Sequence, residues 1–316
     1  MIHRFIFSAV VNGTDNLEQV PFIDYERCFN RKQKRHECTV CRDICPKGAI
    51  VYKKQLRINK RLCCRCHLCH GVCPTQCISM QDSFIKGNSM TDVDALMICC
   101  RRCGTGSAGI NVPCIASLPW EFYAYFSYQA PISIMTKDCS NCEFRAEKYV
   151  KAIFERLRLF WGNLYAIKIL LHTEISPAKF SRREVMSLFL RRGDKFVYVL
   201  MPENTNEEHK KNTSYYRMLL LDVLDEHQKH GWLIWKINQS CWGCHVCEKL
   251  CPCQAIKIVD ENGQRMLSHN FLQCIGCQLC KLVCPEKCIE EQIEHQATKT
   301  NSVILTPVQA KISNKR

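Results

Sequence analysis

At 316 residues the chain is too long for one minimal module and long enough for two or three compact units, each burying a core of its own. Its 26 cysteines, about 8% of the residues, exclude a miniature scaffold held by disulfides at this length and point to metal. A formal charge of +14 raises nucleic acid or an anionic surface as partners, but no recognition-helix, RNA-binding or zinc-finger pattern accompanies it.

In chain order, the opening MIHRFIFSAVVNG has one early positive charge and an apolar run of about six residues, shorter than the ~7–15 of an export signal, so no export is expected. Further on, the most apolar windows are broken by Glu121 or Lys168 and fall short of the ~18 uninterrupted residues of a spanning helix. A cytoplasmic chain is expected, and a reducing cytosol keeps thiolates available for metal.

The first unit, residues 20–92, contains two cysteine runs. One begins at Cys28 and resumes nine residues later as Cys38-x2-Cys41-x3-Cys45-Pro46; the other, CCRCHLCHGVCP, supplies Cys63, Cys66, Cys69 and Cys73. The intervening FNRKQKRHE, with Arg31, Lys32, Lys34 and Arg35, reads first as a solvated loop and second as a docking patch for an acidic partner. A surface loop lengthens at small entropic cost, so Cys28 can still join the other cysteines of its site. His36 is the nearest substitute should it not.

Residues 93–235 change to globular alternation. ALMIC (95–99), INVPC (110–114), ISIMTKDC (132–139) and YAIKILL (165–171) read as buried strands. Helices are expected from Ala146 to Phe160, from a capping box at Ser181 and Glu184 through Leu190, and from Tyr215 to His230 before Gly231. These make a small α/β domain with a largely parallel sheet. GTGSAG (104–109) fits a dinucleotide fingerprint, but a strand follows it at once and leaves no helix N-terminus for a pyrophosphate. Ser181-Arg182-Arg183 is a helix cap, not an export signal.

Within residues 236–296, CWGCHVCEKLCP supplies Cys241, Cys244, Cys247 and Cys251, and CIGCQLCKLVCP supplies Cys274, Cys277, Cys280 and Cys284. Between them IKIVDENGQRMLSH carries Asn262-Gly263, a hairpin signal. Residues 297–316 form a basic tail.

One hexad closes all four runs: CPKGAI at Ile50, CPTQCI at Ile78, CPCQAI at Ile256 and CPEKCI at Ile289. The last two runs match C-x2-C-x2-C-x3-C-P without a gap, the spacing of a [4Fe–4S] site whose fourth cysteine reaches a second cluster. Zinc also takes C-x2-C pairs, but it needs four ligands per site and not an interleaved eight. Cys77 and Cys288 stand where Ala49 and Ala255 stand in the other hexads and read as small buried residues; Cys64 and Cys253 need no function either.

Over residues 20–80 and 236–295 the chain resembles the two-cluster bacterial ferredoxin family, present twice. That resemblance implies α+β ferredoxin modules flanking the α/β domain. It also implies four clusters, on Cys28, Cys38, Cys41 and Cys73; on Cys63, Cys66, Cys69 and Cys45; on Cys241, Cys244, Cys247 and Cys284; and on Cys274, Cys277, Cys280 and Cys251. Four oxidised clusters with their thiolates would bring roughly −8 and leave about +6, enough for an acidic redox donor and acceptor and no call for nucleic acid. The spacing of the middle cysteines resembles the iron–sulfur domain of hydrogenase delta subunits. Cys100, Cys103, Cys114, Cys139 and Cys142 are accordingly a candidate fifth metal site, lying at or just past the carboxyl ends of three expected strands. Should Cys100 to Gly109 make a hairpin, Cys114 would lie ~13 Å up the neighbouring strand and the site would not close. An electron carrier is the first function expected, an iron–sulfur oxidoreductase with a cysteine site in the middle domain the second, and a cluster-based sensor or nucleic-acid binder the third.

Overall fold

The computed structural model describes residues 20–32, 37–79, 96–103, 110–129, 131–172, 215–224, 229–261, 264–297 and 303–308. The expected helix at Ser181 and the tail beyond residue 308 lie outside them.

Each cysteine run folds alike, as a loop, one short helical turn and a proline-broken exit. The turns are α2 (Val40–Ile44), α3 (Leu68–Val72), α8 (Val246–Leu250) and α9 (Leu279–Val283). They pack in pairs, α2 on α3 and α8 on α9. In the first unit β1 (Phe22–Ile23) pairs antiparallel with β4 (Ile78–Ser79), and β2 (Ile50–Tyr52) with β3 (Leu56–Ile58). A single turn, α1 (Phe29–Lys32), follows Cys28.

The middle unit holds a four-stranded sheet in the order β6 (Ile110–Val112), β5 (Leu96–Cys100), β7 (Ile132–Met135), β8 (Ile169–His172). All three pairings are parallel, with Cys100 opposite Val112 and Cys99 opposite Met135. The short connection after Cys100 is therefore a parallel crossover and not a hairpin. Helix α4 (Trp120–Gln129) packs on α5 (Glu147–Trp161) and on α7 (Tyr215–Val223). Phe122, Leu157 and Phe160, all fully buried, make much of this core.

Two boundaries differ from expectation. Tyr165–Lys168 forms a helical turn, α6, so only the second half of YAIKILL is strand. The helix from Tyr215 stops at Val223, and Lys229–Ile237 forms β9, which runs antiparallel to β12 (Ile289–Ala297). Trp232, Ile234 and Trp235 are buried there, and an aromatic, β-branched segment buried along most of its length suits a strand better than the end of a one-sided helix. The sheet of the last unit thus begins before residue 236. Its hairpin joins β10 (Ile256–Glu261) to β11 (Gln264–Asn270) with Glu261 opposite Gln264, and β13 (Val303–Pro307), inside the basic tail, adds a third strand.

The three units share cores. Ile44, Cys66 and Leu68 of the first and Phe271 of the last belong to the main cluster with the middle helices. The first and last units also meet directly: Phe29 packs with Leu279 and Val283, beside Val246, Leu250, Cys38 and Cys277. Phe29→Ala, emptying a site only 4% exposed, is expected to cost about 3–5 kcal/mol in urea unfolding. A loss under about 1 kcal/mol would show that this contact is not formed in solution.

Candidate functional site

The four hexads share one backbone device. Their fourth residues, Gly48, Gln76, Gln254 and Lys287, all take the left-handed conformation, with φ of 57°, 50°, 53° and 49°. In two of them the turn swings the next amide back toward the cysteine four residues earlier. The N–H of Ala49 donates to Cys45 Sγ, and that of Ala255 to Cys251 Sγ, both at 3.2 Å. A second left-handed residue sits inside the opening C-x2-C of three runs, as Arg65, Gly243 and Gly276, and the Gly276 N–H donates to Cys274 Sγ at 3.4 Å. A third caps the short helix as His67, His245 and Gln278. N–H groups turned toward sulfur, as those of Ala49, Ala255 and Gly276 are, favour the negative charge of a thiolate. The run at Cys38 lacks the capping device: Thr39 is right-handed, with φ of −109°.

This departure coincides with the insert, and Asn30 compensates for it. Its carboxamide brackets Cys38, donating to the Cys38 carbonyl at 2.8 Å and accepting the Cys38 N–H at 2.7 Å, so the base of the loop is clamped. Residues 33–36 of the loop, His36 included, lie outside the described residues. Cys28 is buried at the near end.

The sulfurs group across runs. Burial pushes the Cys41 thiol up to about 12, with Cys73, Cys38 and Cys28 close enough to add to the shift. Burial likewise raises Cys69, beside Cys66, Cys63 and Cys45, and also within reach of Cys41. In the last unit Cys247 is pushed up to about 12 by burial, with Cys244, Cys241 and Cys284 around it. Cys280 rises through burial, with Cys274, Cys277 and Cys251 as neighbours. In each case the cysteine that closes one run stands near three from the other run of its pair. A cavity is walled by Cys241, Cys244, Cys247 and Cys284 together with Ile237 and Ile258. Among the described residues no three Cys, His, Asp or Glu side chains converge tightly enough to share a single metal ion. One tetrahedral zinc would draw its sulfurs to about 3.8 Å apart, whereas a four-iron cluster takes one thiolate at each iron.

No family model matches the chain, and no curated protein does.

Cys77 and Cys288 are the small buried residues expected, each only 2% exposed, and each also touches a neighbouring sulfur. Cys77 Sγ lies 3.5 Å from Cys73 Sγ, and Cys288 Sγ lies 3.4 Å from Cys284 Sγ. Cys253 Sγ lies 3.6 Å from Cys251 Sγ and is buried, not merely part of a turn. Contact with the Cys77 thiol draws Cys73 down to about 6 and Cys28 to about 7, and contact with Cys253 draws Cys251 to about 6. A thiol that stays protonated and donates favours the thiolate beside it, which is the form that binds metal.

In the middle unit Cys100 ends β5, Cys114 follows β6 and Cys139 follows β7, all on the same edge of the parallel sheet. Burial pushes Cys114 up to about 12, with Cys139, Cys142 and Cys100 within electrostatic reach. Asp138 shapes the loop carrying Cys139 and Cys142 by accepting from the Ser140 N–H at 2.9 Å and from Asn141 Nδ2 at 2.7 Å. Arg102 ties the first loop to it, donating to the Asn141 carbonyl at 3.0 Å. The side chain of Cys103 lies outside the described residues. Cys99 is fully buried against Met135, with Cys100 packed on the same small cluster.

Asn30 carries no signal in the sequence beyond its place in a charged insert. No helix among the described residues is long and apolar enough to cross a membrane.

Proposed function

We propose that the chain is an iron–sulfur electron-transfer protein with four [4Fe–4S] clusters, passing single electrons between a protein donor and a protein acceptor. The observation that carries the reading is the crossed grouping of cysteines, with each closing cysteine beside the three opening cysteines of its partner run. Bound clusters of this kind supply one-electron redox chemistry over a wide range of potentials.

The chain's own residues would hold and shield them. The left-handed turns at Gly48 and Gln254 aim the Ala49 and Ala255 amides at Cys45 and Cys251, lowering the cost of burying negative charge there. Cys77 and Cys253 would favour the thiolate form of the ligands beside them, Cys73 at 3.5 Å and Cys251 at 3.6 Å. Phe29 closes the contact between the units, bringing Cys38 of one proposed site and Cys277 of another onto a single apolar cluster. The carboxyl-terminal end of the parallel sheet, which gathers Cys100, Cys114, Cys139 and Cys142, is the ground for a fifth centre in the middle unit, an iron–sulfur one since no three described side chains converge on a single ion, with Cys103 a further candidate ligand. A cytoplasmic setting and acidic docking partners belong to the same reading. No disulfide ties up the described cysteines, and the chain keeps a net charge of about +6 after four clusters are counted.

Anaerobic purification followed by iron and acid-labile sulfide analysis tests it. About 16 of each per chain are expected for four clusters, with more if the fifth site fills, and the reduced protein should give the EPR of interacting spin-half centres. One or two zinc ions per chain with no labile sulfide would overturn the proposal.

A further inference from the structure

Between the middle unit and the last lies a pocket of about 590 Å³, a volume typical of small-molecule sites. Trp120, Arg156 and Leu159 form one wall, and Leu233, Ile275 and Ile293 face them. The charges along it are settled in pairs, with one exception. Glu155 is held by Arg158 at 2.7 and 2.9 Å, and Glu291 by Lys281 at 3.0 Å. Arg217 is committed to the carbonyls of Phe271 and Leu272 at 2.8 and 3.2 Å and lies 3.8 Å from Glu121. Arg156 lies over the Trp120 ring at 4.7 Å, and its Nη1 is buried without a hydrogen-bond partner among the described residues.

A buried guanidinium donor with nothing to bind is costly, and Arg156, only partly buried as a whole, also lines a cavity with apolar and charged walls that has room for an acceptor. The planar fork of arginine matches a carboxylate or phosphate through two parallel hydrogen bonds, and stacking on Trp120 fixes its plane in advance. We propose that this pocket binds a small organic oxyanion, a carboxylate or phosphate carried on an apolar body, with Arg156 as its anchor. The body would lie against Leu159, Leu233 and Ile293. Cys274, Ile275 and Gly276 also line the pocket. The ligand would thus sit beside the fourth proposed cluster, a consequence that rests on the electron-transfer reading, whereas binding itself does not.

The test is calorimetric titration of the full, anaerobically purified chain with benzoate, phenyl phosphate and inorganic phosphate. Saturable binding of benzoate or phenyl phosphate at one site per chain is expected, with inorganic phosphate weaker for want of an apolar body. Arg156→Leu should weaken it at least ~tenfold while the thermal midpoint holds or rises, because an unmet buried donor is removed. Lys151→Gln, exposed on the same helix, should bind as the parent does. No saturable binding of any probe, or binding that survives Arg156→Leu, overturns the proposal. So does an Arg156→Leu variant with a lowered midpoint and a lowered cluster potential in a chain whose parent binds no probe, since Arg156 would then only balance the thiolates near Cys274. Probe binding through Arg156 in a chain shown to lack labile sulfide would keep the pocket and discard the clusters.

Discussion

Serine at position 251 is expected to remove the iron–sulfur centre built on Cys274, Cys277 and Cys280 and to leave the one built on Cys241, Cys244 and Cys247. Cys251 follows the latter three in the chain, yet its thiol stands among the neighbours of Cys280, Cys277 and Cys274. The cause is the exit from α8: Cys251 takes extended backbone, with φ of −64° and ψ of 115°, and Pro252 forbids the helix from continuing. The chain is thrown toward the other run, and the left-handed turn at Gln254 then fixes the Cys251 sulfur through the Ala255 N–H. A serine keeps that backbone but offers a hard oxygen where the cluster prefers a soft thiolate. Iron should fall by about a quarter, and EPR of the reduced variant should lose the centre's coupling to its neighbour. The mirror variant, Cys284→Ser, should remove the other centre, because Cys284 belongs with Cys247, Cys244 and Cys241. Loss of the centre belonging to the mutated cysteine's own run would sink the crossed arrangement.

What the sequence made legible was what local chemistry decides. The hexads mark four turns because a proline after cysteine ends each short helix, and the antiparallel pairing of β10 with β11 is the one that the Asn-Gly dipeptide between them announces. The helix at Glu147–Trp161 shows in a one-sided apolar stripe. Tertiary partners decide what stayed hidden. Lys229–Ile237 becomes a strand because β12, some sixty residues on, is there to pair with it. Asn30 matters because a loop closes beside it, and Arg156 because its Nη1 is left without an acceptor while the other charges along the pocket have theirs. The parallel sense of β5 and β6 is of the same kind: the ten residues from Cys100 to Gly109 allow either sense, and pairing with β7 on the other side of β5 makes a single parallel sheet.

Gly71→Ala separates packing from propensity most sharply. Gly71 lies inside α3, between Cys69 and Cys73, where alanine would ordinarily favour the helix by about 1 kcal/mol. A Cβ there would stand 2.1 Å from the Ala116 carbonyl oxygen and 2.8 Å from the Ser117 carbonyl carbon. Both are backbone atoms, and the turn carrying them cannot easily retreat. The Ser117 hydroxyl donates to the Cys114 carbonyl at 2.6 Å, the Tyr123 hydroxyl donates to the Ile115 carbonyl at 2.7 Å, and all four residues of the turn are buried. His70 also bonds the Ser117 carbonyl through Nδ1 at 2.8 Å, so the two segments are tied where the methyl would intrude. The helix must move instead, carrying Cys69 and Cys73, one from each proposed site of the first unit. A cost of about 3 kcal/mol or more is expected, outweighing the gain in propensity, with a drop of several degrees in the thermal midpoint and iron lost from the first unit ahead of the last. Gly48→Ala is the comparison: its φ is +57° and nothing lies within 4 Å of the added carbon, so only the left-handed strain of about 1 kcal/mol applies. Gln76, Gln254 and Lys287 already carry side chains in that conformation at the equivalent place. A Gly71→Ala chain as stable as the parent would show that the first unit does not dock on the turn after Cys114, and the shared core between them would fall with it.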